Sequence, residues 1–364
     1  MRKGSEDVFR KVLTIAPQHK NHRGGIGAVI ATYALHINGI KFIATYNGRY
    51  TSLQNIGLFI LSLFQILWKL CTDREIKIVH IHGASKGSFV RKYVVFFIAK
   101  FLFRKKVIYH LHGGGFHLFY EKGSAIIRYF IKHFAKSVDV FICLSTRWHS
   151  YLSNEFNIKN LTIVNNPVTL PKKTGHLFLE SKEYVLNLLF LGRIGENKGV
   201  FDLLKVIVKN KDQWDGRIKL RIGGDGEVEC LVEYIKKHTL SNIIEYVGWV
   251  GGEKKDELLY QCDMLILPSY NEGLPISILE AMSYGKAIIS TTVGGIPEVV
   301  RHGENGVLIE PGDQKSLADA VESFIKNPQL VREMGDRSKL YVQPYLMDNV
   351  MLQLNSIYSH ESMD

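Results

Sequence analysis

Runs of β-branched and aliphatic residues alternate with amphipathic helical segments through this 364-residue chain, and the alternation restarts about halfway along. It predicts βαβ units, because parallel strands need a crossover connection between them. In the first half the pattern predicts strands at 11–16, 40–46, 76–82, 106–111, 138–144 and 161–164. In the second half it predicts them at 185–191, 218–222, 243–247, 264–267, 287–290 and 307–309. We therefore expect an α/β fold with two doubly wound, Rossmann-like domains facing a cleft.

The boundary between the two predicted domains lies near residues 167–181, where Pro, Lys, Thr and Gly interrupt the periodicity. We assign residues 1–170 to a first domain, 171–345 to a second and 346–364 to a helical tail. Doubly wound sheets bind ligands beyond the carboxyl ends of their strands. The loops that follow the predicted strands are therefore where functional residues are expected.

Charge is divided unevenly along the chain. Residues 1–170 contain 24 Lys and Arg against 7 Asp and Glu, whereas residues 171–364 contain 22 against 28. The basic half should face an anionic partner. No nucleic-acid recognition motif accompanies the charge, so we expect no nucleic-acid partner. The overall composition, 46% hydrophobic and 22% charged, excludes a disordered or collagen-like chain.

Two basic segments of the first half, 89–106 and 125–136, are also rich in aromatic residues. In the second, Arg128, Lys132 and Lys136 follow one another at four-residue intervals and so form one cationic stripe on a helix. Basic amphipathic helices with aromatic residues suit the surface of an anionic leaflet. The alternative is a lysine-rich solvent face on a helix that packs against the core. We favour the membrane surface as the partner.

The N-terminus lacks an apolar stretch of signal-peptide length, so we expect a cytoplasmic protein, peripheral on the inner face of the membrane. Residues 50–68 are uncharged, but their solidly apolar part, 56–68, is too short to span a bilayer and predicts a core or interfacial helix. The cysteines form no metal-binding or disulfide spacing and resemble the buried thiols of a reducing compartment. They are Cys71, Cys143, Cys230 and Cys262.

The segment 268–281 carries two carboxylates. The predicted strand 264–267 ends before a loop that holds Glu272, and a helix starting near Pro275 holds Glu280. The backbone amides of Gly273 and Leu274 lie near the start of that helix, where sugar hydroxyls or an anion could bind. The alternative is that both acids are solvated. Spacing alone favours that alternative.

The loop 192–199 also follows a predicted buried strand and precedes a helix. Its amides, beginning with Gly192, and its two cations, Arg193 and Lys198, could converge on a phosphate. Taken singly, the two cations could equally be surface charges. A third glycine loop, 223–226, follows the strand at 218–222 and is a weaker indication of the same kind.

A glycine loop at 24–27 follows the first strand. It lacks the last glycine of the dinucleotide fingerprint, since Ile30 stands there, and this weakens a nicotinamide interpretation. Gly25 could let the backbone approach a ligand phosphate, or the loop could be a plain tight turn.

Two strand ends in the first half carry pairs of histidines two residues apart, which places each pair on one face. These are His80 with His82, and His110 with His112, the last of which stands at a carboxyl end. Neither a carboxylate nor a cysteine accompanies them, so we expect core or substrate-contacting histidines and no metal. The chain also has no Asp-x-Asp pair to hold a magnesium diphosphate.

Together these motifs resemble the retaining glycosyltransferases of the glycosyl-transferase group 1 family, also called family 4. The order and spacing match throughout the second half, and more loosely in the first. In the second half the resemblance is carried by Gly192-Arg193, Lys198-Gly199, residues 223–226, Gly248-Trp249-Val250, Pro268-Ser269, Glu272-Gly273-Leu274-Pro275 and Glu280-Ala281. The usual Asn-Gly-Val-Asp is replaced by Asn166-Pro167-Val168-Thr169, so no role is transferred to that segment.

The resemblance implies the GT-B architecture, with a tail helix that crosses back onto the first domain. It implies that the second domain binds a nucleotide-diphosphate sugar and that the first binds the acceptor. No cofactor or metal is implied beyond the donor substrate. The basic first half fits a membrane-associated acceptor, such as a lipid-linked or lipopolysaccharide-type glycan, and we therefore expect a role in polysaccharide biosynthesis. The alternatives are a nucleotide-sugar epimerase on the same architecture and an inactive lipid-binding relative.

Residue roles transferred through the resemblance divide between the two domains. In the catalytic group, Glu272 would hold the donor sugar, Arg193 and Lys198 the diphosphate, and His112 would line the reaction centre. The donor-binding group, which contacts the diphosphate, the base, the sugar and the ribose, would comprise Gly25, Gly192, Trp249, Gly273, Leu274 and Glu280.

Overall fold

The computed structural model describes residues 8–20, 24–171 and 184–362. It divides into two compact units, one formed by Met1–Pro167 with Met347–Asp364 and the other by Val168–Leu346. Within the described residues each unit contains one six-stranded parallel sheet. The predicted α/β class is confirmed, and every predicted strand is present. Part of the predicted boundary, residues 172–181, lies outside the described residues.

The sheet of the first unit has the order β2-β1-β3-β4-β5-β6. Its two central strands, β3 and β4, pair over six residues and are almost wholly buried, because helices cover both faces of a parallel sheet. The six strands are β1 (Val12–Ala16), β2 (Lys41–Ala44), β3 (Ile78–Gly83), β4 (Lys106–Leu111), β5 (Val140–Cys143) and β6 (Leu161–Ile163).

The sheet of the second unit has the order β12-β11-β10-β7-β8-β9. Its strands are β7 (Leu186–Leu191), β8 (Ile218–Gly223), β9 (Ile244–Gly248), β10 (Met264–Leu267), β11 (Ala287–Thr291) and β12 (Gly306–Ile309). The strand β10 is buried along its whole length, as is β11 beside it.

Helices connect the strands of both units. In the first unit they are α1 (Gly25–His36), α2 (Ser52–Thr72), α3 (Gly87–Phe97), which continues as a π-helical turn at Ile98–Leu102, α4 (Phe116–Glu121), α5 (Ala125–Ser137) and α6 (Thr146–Phe156). In the second unit they are α7 (Val200–Lys209), α8 (Lys211–Trp214), α9 (Val228–Lys237), α10 (Gly252–Gln261), α11 (Ile276–Ser283), α12 (Ile296–Val299), α13 (Gln314–Lys326) and α14 (Gln329–Tyr341).

The last helix, α15 (Met347–Glu361), belongs to the first unit although it follows the second in the chain. Its Tyr358 packs edge-on against Phe9, with ring centroids 5.4 Å apart. The Tyr358 hydroxyl also lies 2.5 Å from Nδ1 of His80 in β3. The tail helix therefore returns to the first unit, as the resemblance implied.

The sequence-based interpretation of residues 50–68 needs correction. The helix there, α2, has 21 residues and not the thirteen of its apolar core, and it is long and apolar enough to cross a membrane by length and composition. Only 17% of its most apolar window is buried, so the expectation of a core helix is wrong. Its exposed apolar surface is taken up below.

The expectation of four buried thiols is wrong for two of them. Cys143 and Cys262 are buried, but Cys71 and Cys230 are exposed. Cys71 lies near the end of α2, and Cys230 lies in α9, whose buried residues are Leu231 and Ile235. Composition cannot show which face of such a helix a cysteine occupies.

Candidate active site

The second unit brings two of the predicted loops together at one point of its sheet. Because β7 lies between β10 and β8, the strand order reverses between β7 and β10. Ligands of doubly wound sheets bind at such a reversal, beyond the carboxyl ends of the strands. The loops that leave β7 and β10 are 192–199 and 268–275. The predicted donor-binding loops therefore lie where this sheet type binds ligands.

Tyr270 joins the two loops. Its backbone amide donates to the carbonyl of Asn197 at 3.0 Å. Its hydroxyl donates to a carboxylate oxygen of Asp202, in α7, at 2.8 Å. The loop after β10 is thus attached to both the loop and the helix that follow β7.

Lys198 and Glu272 form an ion pair at this point. Glu272 is only 8% exposed and its Oε1 also accepts a hydrogen bond from the Ser269 hydroxyl at 2.8 Å. Ser269 is fully buried. A buried carboxylate held by an ammonium group and a hydroxyl is not a solvated loop acid, so the alternative left open from the sequence is wrong for Glu272.

A third loop, which follows β11, supports the backbone at Glu272. Gly295 donates its amide to the carbonyl of Gly273 at 2.7 Å. The Thr291 hydroxyl donates to the carbonyl of Ser269 at 2.6 Å. Gly294 has φ +56°, and a Cβ there would lie 2.0 Å from the carbonyl oxygen of Glu272. Only glycine fits at this position without displacing the carboxylate loop.

We expect Gly294→Ala to destabilise the protein by about 1–3 kcal/mol and to lower donor affinity, because the new methyl group pushes the Glu272 loop away. Gly303→Ala is the matched control, since Gly303 has φ +78° but open space around its Cβ position. Thermal melting with and without nucleotide measures both effects. Equal losses of stability and affinity in the two variants would show that only backbone strain matters and that the contact with Glu272 does not.

The expected convergence of the loop amides is only partly realised. Four of the amides in 192–199 donate to backbone carbonyls instead of pointing outwards: those of Gly192, Ile194, Lys198 and Gly199. Arg193 is exposed, and its guanidinium has no ion pair with the residues that the structure describes. The loop could therefore bind a phosphate mainly through the positive charges of its side chains and less through its backbone amides.

Glu280, in α11, forms an ion pair with Lys255 of α10, with Nζ and Oε1 2.5 Å apart. Both side chains are about one-fifth exposed. Burial alone would lower the pKa of Lys255, but the Glu280 carboxylate outweighs it and the pKa is raised. Lys255 therefore stays charged at neutral pH. Glu280 is consequently not the solvated surface acid of the alternative interpretation.

The remaining predicted donor-binding residues of this unit lie near these loops. Trp249 follows β9 and is half-buried, and its ring would lie 2.7 Å from a Cβ on Gly251. Gly273 and Leu274 are buried between Glu272 and Pro275, which caps the start of α11. Their donor-binding roles stay predictions.

His112 lies in the first unit, just beyond β4. Its Nδ1 is 3.1 Å from Oδ1 of Asn166, and its Nε2 is 2.9 Å from Nδ1 of His82. Burial lowers the pKa of His112 to about 4, although the hydrogen bond with Asn166 opposes the shift. The ring is therefore neutral at pH 7. Gly25, in the same unit, is the exposed first residue of α1.

Four histidine rings form a stacked column on one face of the β3–β4 pair, with neighbouring ring centroids 4.1–5.6 Å apart. They are His80, His82, His110 and His112. Donor atoms of the first three lie within 4.8 Å of one another, so these are the described residues that could most readily hold a metal ion. The expectation that the chain binds no metal stays a prediction.

The histidine column makes the fold sensitive to acid. Burial lowers the pKa of His80 to about 3 and the pKa values of His82 and His110 well below their usual range. The unfolded chain, with histidine pKa values near 6.5, therefore takes up protons first as the pH falls.

We expect the free energy of unfolding to drop as the pH falls from about 6.5 to 3, by up to ~1.4 kcal/mol per pH unit for each of these histidines. Urea titrations at several pH values measure the slope. His110→Phe should flatten it, because one buried base is removed while an aromatic ring remains. An unchanged slope in this variant would contradict the assignment.

Sequence reasoning missed three residues of these sites: Lys255, Ser269 as a partner of Glu272, and Asn166. Asn166 and Ser269 belong to motifs that the sequence analysis quoted, and their positions two or three residues after a strand were a usable signal. Lys255 had no such signal, because its contact with Glu280 depends on how α10 and α11 pack.

Two family models match successive parts of the chain. The model described as glycosyltransferase family 4 matches residues 39–171, and the model described as glycosyl transferases group 1 matches residues 177–341. Together they cover most of both units.

Two proteins of known sequence are similar to this chain over much of its length. An uncharacterized glycosyltransferase of Methanocaldococcus jannaschii is 28% identical over 245 residues, which are 66% of this chain and 65% of that protein. The N-acetyl-alpha-D-glucosaminyl L-malate synthase of Bacillus anthracis is 26% identical over 313 residues, 82% of this chain and 78% of that one. The chain thus spans just under two thirds of the first relative.

Among solved structures, Anabaena Alr3699/HepE in complex with UDP-glucose superposes with a TM-score of 0.76 at 19% identity. The match covers 96% of this chain and 99% of that one. At this identity it shows the fold alone, and it confirms two Rossmann-like domains of the GT-B class. With both family models and the order of the site motifs in agreement, the chain belongs to the group 1 glycosyltransferases.

Proposed function

We propose that this protein transfers a sugar from a nucleotide-diphosphate sugar to a membrane-associated glycan acceptor, with retention of the anomeric configuration and without a metal ion. The observation that carries the proposal is the Lys198–Glu272 ion pair, buttressed by Ser269, at the strand-order reversal of the second sheet. An ammonium group and a carboxylate there match the two ends of a donor, the diphosphate and the sugar hydroxyls.

The main chemical demand of the reaction is charge on the leaving group. Cleavage of the anomeric bond leaves the electron pair on the diphosphate, and fixed cations near it lower the barrier. Lys198 is held close to the site by Glu272, and Arg193 is exposed on the same loop. We infer that the diphosphate draws both cations and that donor hydroxyls replace Lys198 at the Glu272 carboxylate. Two side-chain cations then do what a metal ion does in other transferases.

Retention is proposed on the resemblance to retaining transferases, and the described site is compatible with it: Glu272 is paired with Lys198 and is assigned to the donor sugar, not to the role of an enzyme nucleophile. Glu280 is occupied by Lys255 and is assigned to the ribose hydroxyls instead. A front-face attack by the acceptor hydroxyl, assisted by the departing diphosphate, needs no enzyme nucleophile. The neutral ring of His112, oriented by Asn166, is assigned to the sugar side of the reaction centre.

The acceptor part of the proposal rests on charge. Residues 76–120 contain eight Lys and Arg and no Asp or Glu. On α5, the cations Arg128, Lys132 and Lys136 are all exposed. A surface of this sign favours an acceptor presented at an anionic leaflet, as on a lipid carrier. A peripheral position on the cytoplasmic membrane face follows from the same argument.

The test is a panel of nucleotide sugars incubated with the protein, with and without a lipid-linked glycan acceptor and with a chelator. The proposal predicts acceptor-dependent release of a nucleoside diphosphate, insensitive to the chelator, and a product whose anomeric configuration by NMR equals that of the donor. An epimerase would instead change the sugar without needing the acceptor. Inversion or strict metal dependence would refute the corresponding part of the proposal.

A further inference from the structure

Helix α2 exposes its apolar residues and buries polar ones. One stripe along the helix, about 140° wide at 100° per residue, faces outwards. It consists of Leu53, Ile56, Ile60, Leu61, Phe64 and Trp68. Leu53 is 81% exposed and Trp68 72%. We call these six residues the α2 apolar stripe. The opposite face contains the buried Asn55 and Ser62 beside Ile66 and Leu70.

The buried polar side chains fix the rotation of this helix. The Asn55 amide donates to the carbonyls of Asn47 and Tyr50 at 3.1 and 3.0 Å, and its Oδ1 accepts the amide of Asn47 at 2.8 Å. The Ser62 hydroxyl donates to the carbonyl of Phe59 at 2.7 Å. Turning the stripe inwards would leave Asn55 unpaired. The outward apolar face is therefore a built feature of the helix.

The topology keeps α2 from crossing a bilayer. At 1.5 Å per residue the helix is about 31 Å long, which is sufficient to span. Both of its ends, however, are attached to β2: Asn55 bonds to Asn47 just after that strand, and Asp73 pairs with Lys41 at its start, 2.8 Å apart. Since β2 stays in the sheet, the two ends of α2 cannot lie on opposite sides of a membrane.

Two other helices expose apolar residues on the same side of the sheet. Right-handed crossovers place α2, α3 and α5 on one face, and all three pack against a single core cluster. Tyr93 in α3 contacts Phe130 in α5, with ring centroids 5.2 Å apart. Their outward residues include Phe97, Phe101, Leu102, Ile126, Tyr129 and Phe130, interspersed with Arg104, Arg128, Lys132 and Lys136.

We propose that α2 lies flat in the interface of an anionic membrane, with the α2 apolar stripe at the headgroup–acyl boundary and with Arg104 and the cations of α5 on the headgroups. This deepens the membrane part of the proposed function and rests on it. An interfacial helix needs an apolar face and nearby cations. Here α2 supplies the first, and its neighbours supply the second.

The charge of the first unit favours a membrane, and not a second copy of this chain, as the partner that covers the α2 apolar stripe. Residues 1–170 carry 24 Lys and Arg against 7 Asp and Glu, so two copies docked through this face would repel each other. An anionic leaflet attracts the same surface, at about 1 kcal/mol for each nearby cation. Trp68 at one end of the stripe suits the interface as well, because tryptophan is enriched there.

The experiment uses the full chain with phosphatidylcholine–phosphatidylglycerol vesicles that carry bromine at shallow or deep acyl positions. Quenching of Trp68 fluorescence measures insertion of α2, because Trp148 and Trp214 are buried in the protein. The fluorescence of the Trp68→Phe variant gives the contribution of the other tryptophans, which is subtracted. We expect quenching mainly by the shallow bromines. Leu61→Ser with Phe64→Ser should weaken vesicle binding at least tenfold. Leu340→Ser with Leu352→Ser, equally exposed leucines on other helices, should not.

Three other outcomes of the vesicle experiment would overturn the proposal. Salt-sensitive binding without quenching of Trp68 would show that the cations dock while α2 does not insert, and it leaves the proposed function intact. Quenching by deep bromines with resistance to alkaline extraction would mean a spanning helix. Self-association that Leu61→Ser with Phe64→Ser abolishes would make the stripe a dimer interface. Loss of nucleoside diphosphate release on a water-soluble acceptor, with vesicle binding retained, would refute the transferase reaction alone.

Discussion

Lys198→Ala lowers kcat by about a hundredfold or more in the proposed reaction, and Arg193→Ala does the same, because each removes a cation from the diphosphate as it takes up negative charge. For Lys198 a second effect is added. Glu272, only 8% exposed, loses its ion-pair partner, and the uncompensated carboxylate repels the diphosphate.

Steady-state rates of nucleoside diphosphate release measure this prediction, with Lys237→Ala as a matched control on the exposed face of α9. The control should stay near the wild-type rate. Melting temperatures of all variants show whether they fold. Rates within threefold of wild type for both Arg193→Ala and Lys198→Ala would remove these cations from the reaction.

The second large effect is expected at Glu272 and Glu280, whose substitutions should change different kinetic constants. Glu272→Gln keeps the size of the side chain but removes the charge that holds the donor sugar and Lys198. We expect kcat to fall about a hundredfold, because contacts that tighten in the transition state are lost. Glu280→Gln should mainly raise the donor KM, by about tenfold, because ribose contacts bind ground and transition states alike.

The matched comparison for the glutamates is Lys255→Met, which removes the partner of Glu280 without touching Glu272. Lys255→Met should resemble Glu280→Gln in its effect on KM. A fall of kcat in Glu280→Gln as large as that in Glu272→Gln would contradict the division of roles between sugar and ribose.

The strands and the chemistry-bearing loops of this chain could be predicted from the sequence. A buried parallel strand must be a short apolar run, and runs such as 264–267 and 106–111 have the predicted bounds in the structure. The loops after such strands collect glycine, proline and charged residues for reasons that are local. Lys198 and Glu272 could therefore be identified from the sequence as candidate site residues, although their direct contact was not expected.

What could not be predicted depends on three-dimensional packing. The loops 192–199 and 268–275 are neighbours because β7 lies between β10 and β8 in the sheet. The order of strands in a sheet cannot be deduced from their order along the chain. The Lys255–Glu280 pair depends on helix packing in the same way. The sequence left α2 as either a core or an interfacial helix, because apolar composition alone does not show which face is buried, whereas in the structure the bonds of Asn55 and Ser62 fix its rotation.

The central claim is that the donor exchanges the Lys198–Glu272 ion pair for contacts of its own. A crystal structure with the nucleotide sugar selected by the donor panel tests it most directly. The account predicts Lys198 Nζ within about 3.2 Å of a phosphate oxygen and a sugar hydroxyl on the Glu272 carboxylate. A structure in which Lys198 still pairs with Glu272 while the diphosphate binds elsewhere would contradict it.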